Sequence, residues 1–227
     1  QETTGIPVVV IPGSDGMMDE DAYETFEILG EVYGKEERAQ ELIAYMDRVK
    51  EDLNMRIAGV PEEEKPTVYV GGVSFQGTHG FDGTEAGYGP LKAIGAKNLA
   101  DETGQTGPFN IELEKVLAWD PDVIFLDYNG LDLIQEDYAS NSEYYKQLTA
   151  VQKGNIYSQI SFRSYASNLD LALADTYYAA SVLYPEQFAD IDMKEKVSEI
   201  FETLLGDDIS EELEEHGYEF GQITIGK

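Results

Sequence analysis

Residues 111–160 read IELEKVLAWD (111–120), PDVIFLDYNG (121–130), LDLIQEDYASNSEYYKQLTA (131–150) and VQKGNIYSQI (151–160). The first block has helical spacing and stops at Asp120-Pro121, because proline restricts the residue before it and brings no backbone N–H. Val123, Ile124, Phe125 and Leu126 then form a short run without a polar break, the pattern of a parallel strand covered by helices on both faces. The run spills into Asp127-Tyr128-Asn129-Gly130, which is polar and turn-forming. A polar helical segment over 132–149 and a strand over 155–160 complete a β-α-β unit. In an open α/β sheet the carboxyl ends of such strands form the ligand crevice, so this one stretch predicts both the fold and the place of a site.

Working outward, Thr67-Val68-Tyr69-Val70 is a strand of β-formers that closes on Gly71-Gly72. After it comes SFQGTHGFDGTEAGYGP (74–90), read as a long loop; loops of more than about 12 to 15 residues without structure of their own are uncommon and usually functional. Upstream, carboxylates at 19–21 open a helix whose apolar face is Ala22, Phe26, Leu29 and Tyr33, and Gly34 ends it. A second helix over 35–58 repeats the pattern with Ala39, Leu42, Ile43, Met46, Val49, Leu53 and Ile57. At 1.5 Å per residue it is about 35 Å long. Downstream, a long helix spans about 167–183, another helical stretch follows, and an acidic tail ends in strand-like Gln222 to Ile225. Strand and helix alternate from Thr67 onward, so the crossovers are right-handed and the sheet parallel. The expected fold class is α/β: a three-layer α/β/α lobe with a mainly parallel sheet, plus a long helix before it.

The chain has 227 residues, 42% of them hydrophobic, enough for a sizeable core. Its 45 acidic against 15 basic residues give a formal net charge of -30, a field that repels nucleic acid and anionic membrane surfaces. Such acidity reads first as a solvated surface, second as a sink for bulk cations. With no cysteine there are no disulfides, thiolate metal sites or cysteine nucleophiles. No apolar run approaches the roughly 18 residues that span a bilayer. GIPVVVIP (5–12) reads as an interior strand, so the numbering is expected to begin inside a longer protein, with any export signal upstream.

Together, GIPVVVIP with the two helices after it, PTVYVGG, EAGYGPLKAIGAKNLAD, IELEKVLAWDPDVIFLD and YKQLTAVQKGNIYSQI resemble the solute-binding proteins of ABC importers in the siderophore, haem, cobalamin and metal-oxyanion class. The resemblance runs from about Gly5 to Leu205. It implies two α/β lobes joined by one long rigid helix, with residues 1–18 the last strand of the first lobe, 19–60 the inter-lobe helix region and 61–227 the C-terminal ligand-binding lobe. On that resemblance the rest of the first lobe, with half of the ligand cleft, is expected to lie outside this chain. It further implies a monomeric receptor without catalytic activity or resident cofactor, periplasmic or membrane-anchored as a lipoprotein at the cell surface. Its ligand would be a metal chelate, haem, a corrinoid or a metal oxyanion, and its partner a membrane permease.

The three strand ends supply Ser74 to Tyr88, Asp127 to Asn129 and Ser161 to Tyr165. This set of aromatic, hydroxyl and amide groups with one guanidinium suits a polar ligand held by hydrogen bonds and stacking. The candidate ligand-binding residues are Arg163, Tyr165, Tyr88, Tyr128, His79, Ser74, Gln76 and Asn129. Arg163 reads either as a fork for two ligand oxygens or as a salt bridge to one of many acids. His79 reads as a donor, an iron cap or an exposed loop residue. Tyr88 and Tyr128 read as stacking platforms, phenolate ligands or half-buried edge tyrosines. The resemblance also implies acidic residues that dock on the permease, and Glu85, read at the start of the helix after the loop, is the candidate. The competing reading is an α/β enzyme or cofactor-holding module in the same crevice; a surface adhesion domain is a third. No phosphate-binding glycine motif, serine elbow or HExxH pair supports an enzyme.

Overall fold

The computed structural model describes residues 4–12, 17–163 and 167–226. The chain divides into two compact units, Gln1–Asn54 and Met55–Lys227.

In the first unit, α1 (Glu20–Tyr33) is capped by Asp19, whose carboxylate accepts from the Ala22 N–H at 2.9 Å, and it ends at Gly34 in the left-handed conformation. The second helix, α2 (Glu36–Ile57), continues past the unit boundary. The two helices form a hairpin. Tyr23 donates to Asp47 at 2.8 Å, and the missing side chain of Gly30 lets Ala39 approach, since a Cβ there would lie 2.8 Å from that of Ala39. The strand expected at 6–11 does not form: Ile6, Val8, Val9, Val10 and Ile11 are exposed and outside any strand. A β-prone run becomes a strand only against a neighbouring backbone, and none pairs with it among the described residues.

The second unit is the expected α/β body. Strands β1 (Thr67–Gly71) and β2 (Gly83–Ala86) precede α3 (Gly89–Ala93); β3 (Lys97–Asn98) and β4 (Gly107–Asn110) precede α4 (Leu113–Trp119). Then come β5 (Val123–Asp127), α5 (Tyr128–Tyr145), α6 (Thr149–Lys153), β6 (Ile156–Gln159), α7 (Leu169–Leu183), α8 (Met193–Leu205) and α9 (Ser210–Glu215). The main sheet has the order β3-β1-β5-β6, parallel throughout. All five residues of β5 are buried, as a central parallel strand requires. On one face Tyr69, Ile124, Leu126 and Ile156 pack with Val116 of α4, Ile134 and Tyr145 of α5 and Ala150 of α6. On the other, Phe125 meets Tyr178 of α7 edge-on at 6.5 Å, and α8 packs on α7.

Two side chains pin the sheet's lower edge. Thr67 N–H and Oγ1 both donate to Asp122, at 2.9 and 2.7 Å, holding the starts of β1 and β5 together. Asp120, left-handed at the end of α4 with φ 47°, accepts from Thr149 N–H and hydroxyl at 2.7 and 2.6 Å and so anchors α6.

The segment 74–90 is not a structureless loop, because β2 lies inside it and pairs antiparallel with β4. The tail at 222–225 makes one isolated bridge, Gln222 to Tyr157, rather than a strand. Among the described residues no helix is long and apolar enough to cross a membrane.

Candidate functional site at the strand ends

Because β1, β5 and β6 are parallel and adjacent, their carboxyl ends share one rim. The register puts Gly71 beside Leu126 and Asp127 beside Gln159. Asp127 ends β5 and caps α5: its Oδ1 accepts from the Asn129 N–H at 2.9 Å and from the Ser161 hydroxyl. A carboxylate suits a helix N-terminus, yet Asp127 is buried, and burial pushes its carboxyl up to about 6; Ser161, Asn129 and Arg163 oppose that rise while Glu85 adds to it.

Arg163, just beyond β6, donates through Nη1 to Oε2 of Glu85 and stacks its guanidinium over Phe162 with 5.0 Å to the ring centroid. Glu85 therefore does not open a helix, as expected, but sits within β2, 4% exposed. Its carboxylate pairs with Arg163 instead of standing on an outer face. Of the two readings of Arg163 the ion pair forms, to a buried acid rather than a surface one.

Tyr88 is buried behind this pair, with its ring 5.6 Å from that of Phe162 and its hydroxyl donating to Gln159 at 3.4 Å. Burial, then the carboxylates of Asp175, Asp127 and Glu85, push its phenol well above the usual tyrosine value, with Arg163 opposing; it stays a neutral donor. Asp175, fully buried on α7, accepts from the Ile160 N–H at 2.8 Å, while its Oδ2 has no hydrogen-bond partner. Burial raises its pKa far above the usual carboxylate range, with Asp127 adding to the shift.

Other candidates are placed around this centre. Tyr128 opens α5, but its hydroxyl donates to the Glu219 carbonyl at 2.9 Å and accepts from the Glu219 N–H, with Tyr218 edge-on at 5.3 Å. His79 turns back into its own loop, bonding the Phe75 carbonyl at 2.9 Å and stacking on the Phe75 ring at 3.9 Å. Ser74 carries a hydroxyl that is buried without a partner. Gln76 is exposed in the left-handed conformation, φ 52°. Asn129 is exposed beside Asp127. Tyr165 lies outside the described residues. The loop 72–79 is held on α5 by a close backbone approach, since a Cβ on Gly130 would sit 2.5 Å from the His79 carbonyl and 2.7 Å from that of Gly72. Among the described residues no group of three or more His, Asp or Glu side chains is placed to hold a metal ion.

The arrangement can present hydrogen-bond donors and acceptors from Arg163, Ser161, Asp127 and Asn129 to a polar solute, on a base of rings. Ser161 stands in the expected strand-end set, whereas Gln159 and Asp175 do not. Asp127 belongs to the expected rim set, and an acid between an apolar strand and a helix is the signal for the capping role it takes.

A family profile described as periplasmic binding protein matches residues 1–159. No curated protein sequence matches the chain. Among solved structures, a periplasmic solute binding protein from Veillonella parvula is 19% identical with a TM-score of 0.71, over 93% of this chain and 63% of its own. The molybdate periplasmic binding protein of Haemophilus influenzae, bound to molybdate, is 19% identical with a TM-score of 0.66, over 89% and 58%. A protein described as an Fe3+-hydroxamate transport system from Saccharomonospora viridis is 23% identical with a TM-score of 0.55, over 81% and 63%. The chain thus spans less than two thirds of the length of these structures.

Proposed function

The chain belongs to the periplasmic binding protein family, and from that premise we propose that it is the ligand-gripping lobe of an ABC importer's solute receptor. The reading assigns it capture without catalysis, outside the cytoplasm, and delivery to a membrane permease. The solute is a metal chelate, haem, a corrinoid or a metal oxyanion. The structural neighbours support the metal-chelate and oxyanion parts of that range, being described with molybdate, with Ni(II) and as an Fe3+-hydroxamate system.

The observation that carries the proposal is the parallel order β3-β1-β5-β6, with Arg163, Asp127, Ser161 and Tyr88 gathered where those strands end, the place where open α/β sheets bind ligands. Arg163 uses Nη1 on Glu85 and has further N–H donors for ligand oxygens. A covalent-catalysis enzyme in the same crevice would need a nucleophile activated by a neighbouring base such as histidine. Ser161 instead donates straight to a carboxylate, and His79 bonds within its own loop.

The test is ligand-dependent thermal stabilisation of the full-length protein against ferric siderophores, haem, cobalamin and molybdate. A ligand at 100 times its dissociation constant adds about 2.7 kcal/mol. A shift with one member of the panel is expected, and none with any member rejects the reading.

A further inference from the structure

Two features of the rim are built to attract an anion, and both are already occupied by the chain's own carboxylates. The first is the guanidinium of Arg163, paired with Glu85. Within the segments that form the rim, 71–88, 127–131 and 156–163, Arg163 is the sole lysine or arginine. The second is the N-terminus of α5, whose Asn129 N–H is taken by Asp127. Helix N-termini bind anions through such free N–H groups, but a capped one has less to offer.

Glu85 is fixed in its role. It lies in β2, paired residue for residue with β4 (Glu85 opposite Pro108), and its own carbonyl accepts from Asn98 Nδ2 at 2.9 Å. Asp175 adds a third buried acid close enough to act on Asp127 and Tyr88, and its Oδ2 lacks a hydrogen-bond partner. One guanidinium against Glu85, Asp127 and Asp175 leaves a rim that is neutral at best and negative once Asp127 ionises.

We infer that Glu85 and Asp127 set the charge preference of this site, so that the lobe takes a neutral or cationic chelate and turns away free oxyanions. This rests on the receptor reading above and narrows its ligand class. An anion that reaches the guanidinium's remaining N–H groups stands against the buried carboxylates of Glu85 and Asp127, and like charges brought together in a low-dielectric site repel strongly. A neutral hydroxamate keeps the pair intact, accepting from the remaining guanidinium N–H groups, and a cationic group on the ligand gains from Asp127 and Glu85.

The test is calorimetric titration of the full-length protein, at one ionic strength, with molybdate, with ferrichrome as the neutral ferric hydroxamate, and with ferrioxamine B as the cationic one. Wild type should bind a hydroxamate chelate at least about tenfold more tightly than molybdate. Glu85→Gln and Asp127→Asn, near-isosteric changes of which the second still caps α5, should each narrow that ratio by about tenfold, with molybdate gaining. Thermal melts check that both variants fold. Molybdate bound more tightly than both chelates by wild type, or a ratio unchanged in both variants, overturns the charge preference and leaves the receptor reading standing. Failure to bind these probes and every member of the wider ligand panel removes the receptor reading and the preference together.

Discussion

Arg163 and Glu85, 78 residues apart in the chain, meet as an ion pair in which the acid is buried and the guanidinium half-buried. The pair ties the end of β6 to the small β2/β4 sheet, so one contact serves both the packing of the lobe and its candidate ligand rim.

Replacing Arg163 by alanine should therefore do two separable things. Ligand affinity should fall at least about tenfold, since a charge-assisted hydrogen bond is worth roughly 1.5 to 3 kcal/mol. Stability should fall by on the order of 3 kcal/mol because the buried carboxylate of Glu85 loses the charge of Arg163. Adding Glu85→Gln should restore the melting temperature but not the affinity. Unchanged affinity in Arg163→Ala would remove this side chain from the site.

Asp127 makes the lobe's stability depend on pH. Its folded carboxyl holds a proton up to about 6, whereas an unfolded aspartate releases it near about 4. Between those values the folded chain binds more protons, so stability from this group is full below about pH 4 and is lost as pH rises through about 6, by on the order of 3 kcal/mol. Melting temperatures of wild type and Asp127→Asn across pH 4 to 7 isolate the effect, because repulsion among the other acids is common to both. Parallel curves would contradict it.

Gly130→Ala should destabilise the lobe by about 2 kcal/mol, the cost of forcing a methyl into packed atoms, despite the better helix propensity of alanine. The carbonyls of His79 and Gly72 stand where that methyl would go, and both are backbone. Gly59→Ala, with nothing within 4 Å, is the control and should be near neutral in urea denaturation. Equal midpoints for the two variants would show that the loop on α5 yields freely.

Tyr128→Phe should loosen the C-terminal segment more than it alters binding. Its hydroxyl serves both the carbonyl and the N–H of Glu219, worth about 1 kcal/mol. Hydrogen exchange at 218–222 should speed up. A loss of ligand affinity without faster exchange would instead make Tyr128 a direct contact.

Some of this was legible in the sequence and some was not, for physical reasons. Val123 to Leu126 announces a central strand because burial on both faces leaves no polar position, and three such strands fix a shared rim through parallel topology alone. In contrast, GTEA of β2 and GPFN of β4 carry few β-formers, and they pair because tertiary contacts override weak propensity. At 6–11 the reverse holds: Val8 to Ile11 have the composition of a strand, but no backbone among the described residues pairs with them. The partner of Arg163 could not be read because it depends on which of 45 acids the fold carries to the end of β6. Asp175 hides in a mostly apolar helix, LDLALADTYYAASVL, where nothing in the spacing tells that the backbone N–H of Ile160 needs an acceptor.

The run from Ile6 to Ile11, with Val10 81% exposed, has a practical consequence for the chain in solution. Bare aliphatic backbone of this kind is a nucleus for self-association, held off here by prolines at 7 and 12 and by mutual repulsion between copies that each carry a formal charge of -30. Salt shortens that repulsion to about 3 Å at 1 M. Raising ionic strength should thus increase light scattering by the chain, and Val8→Lys or Val10→Lys should reduce that increase.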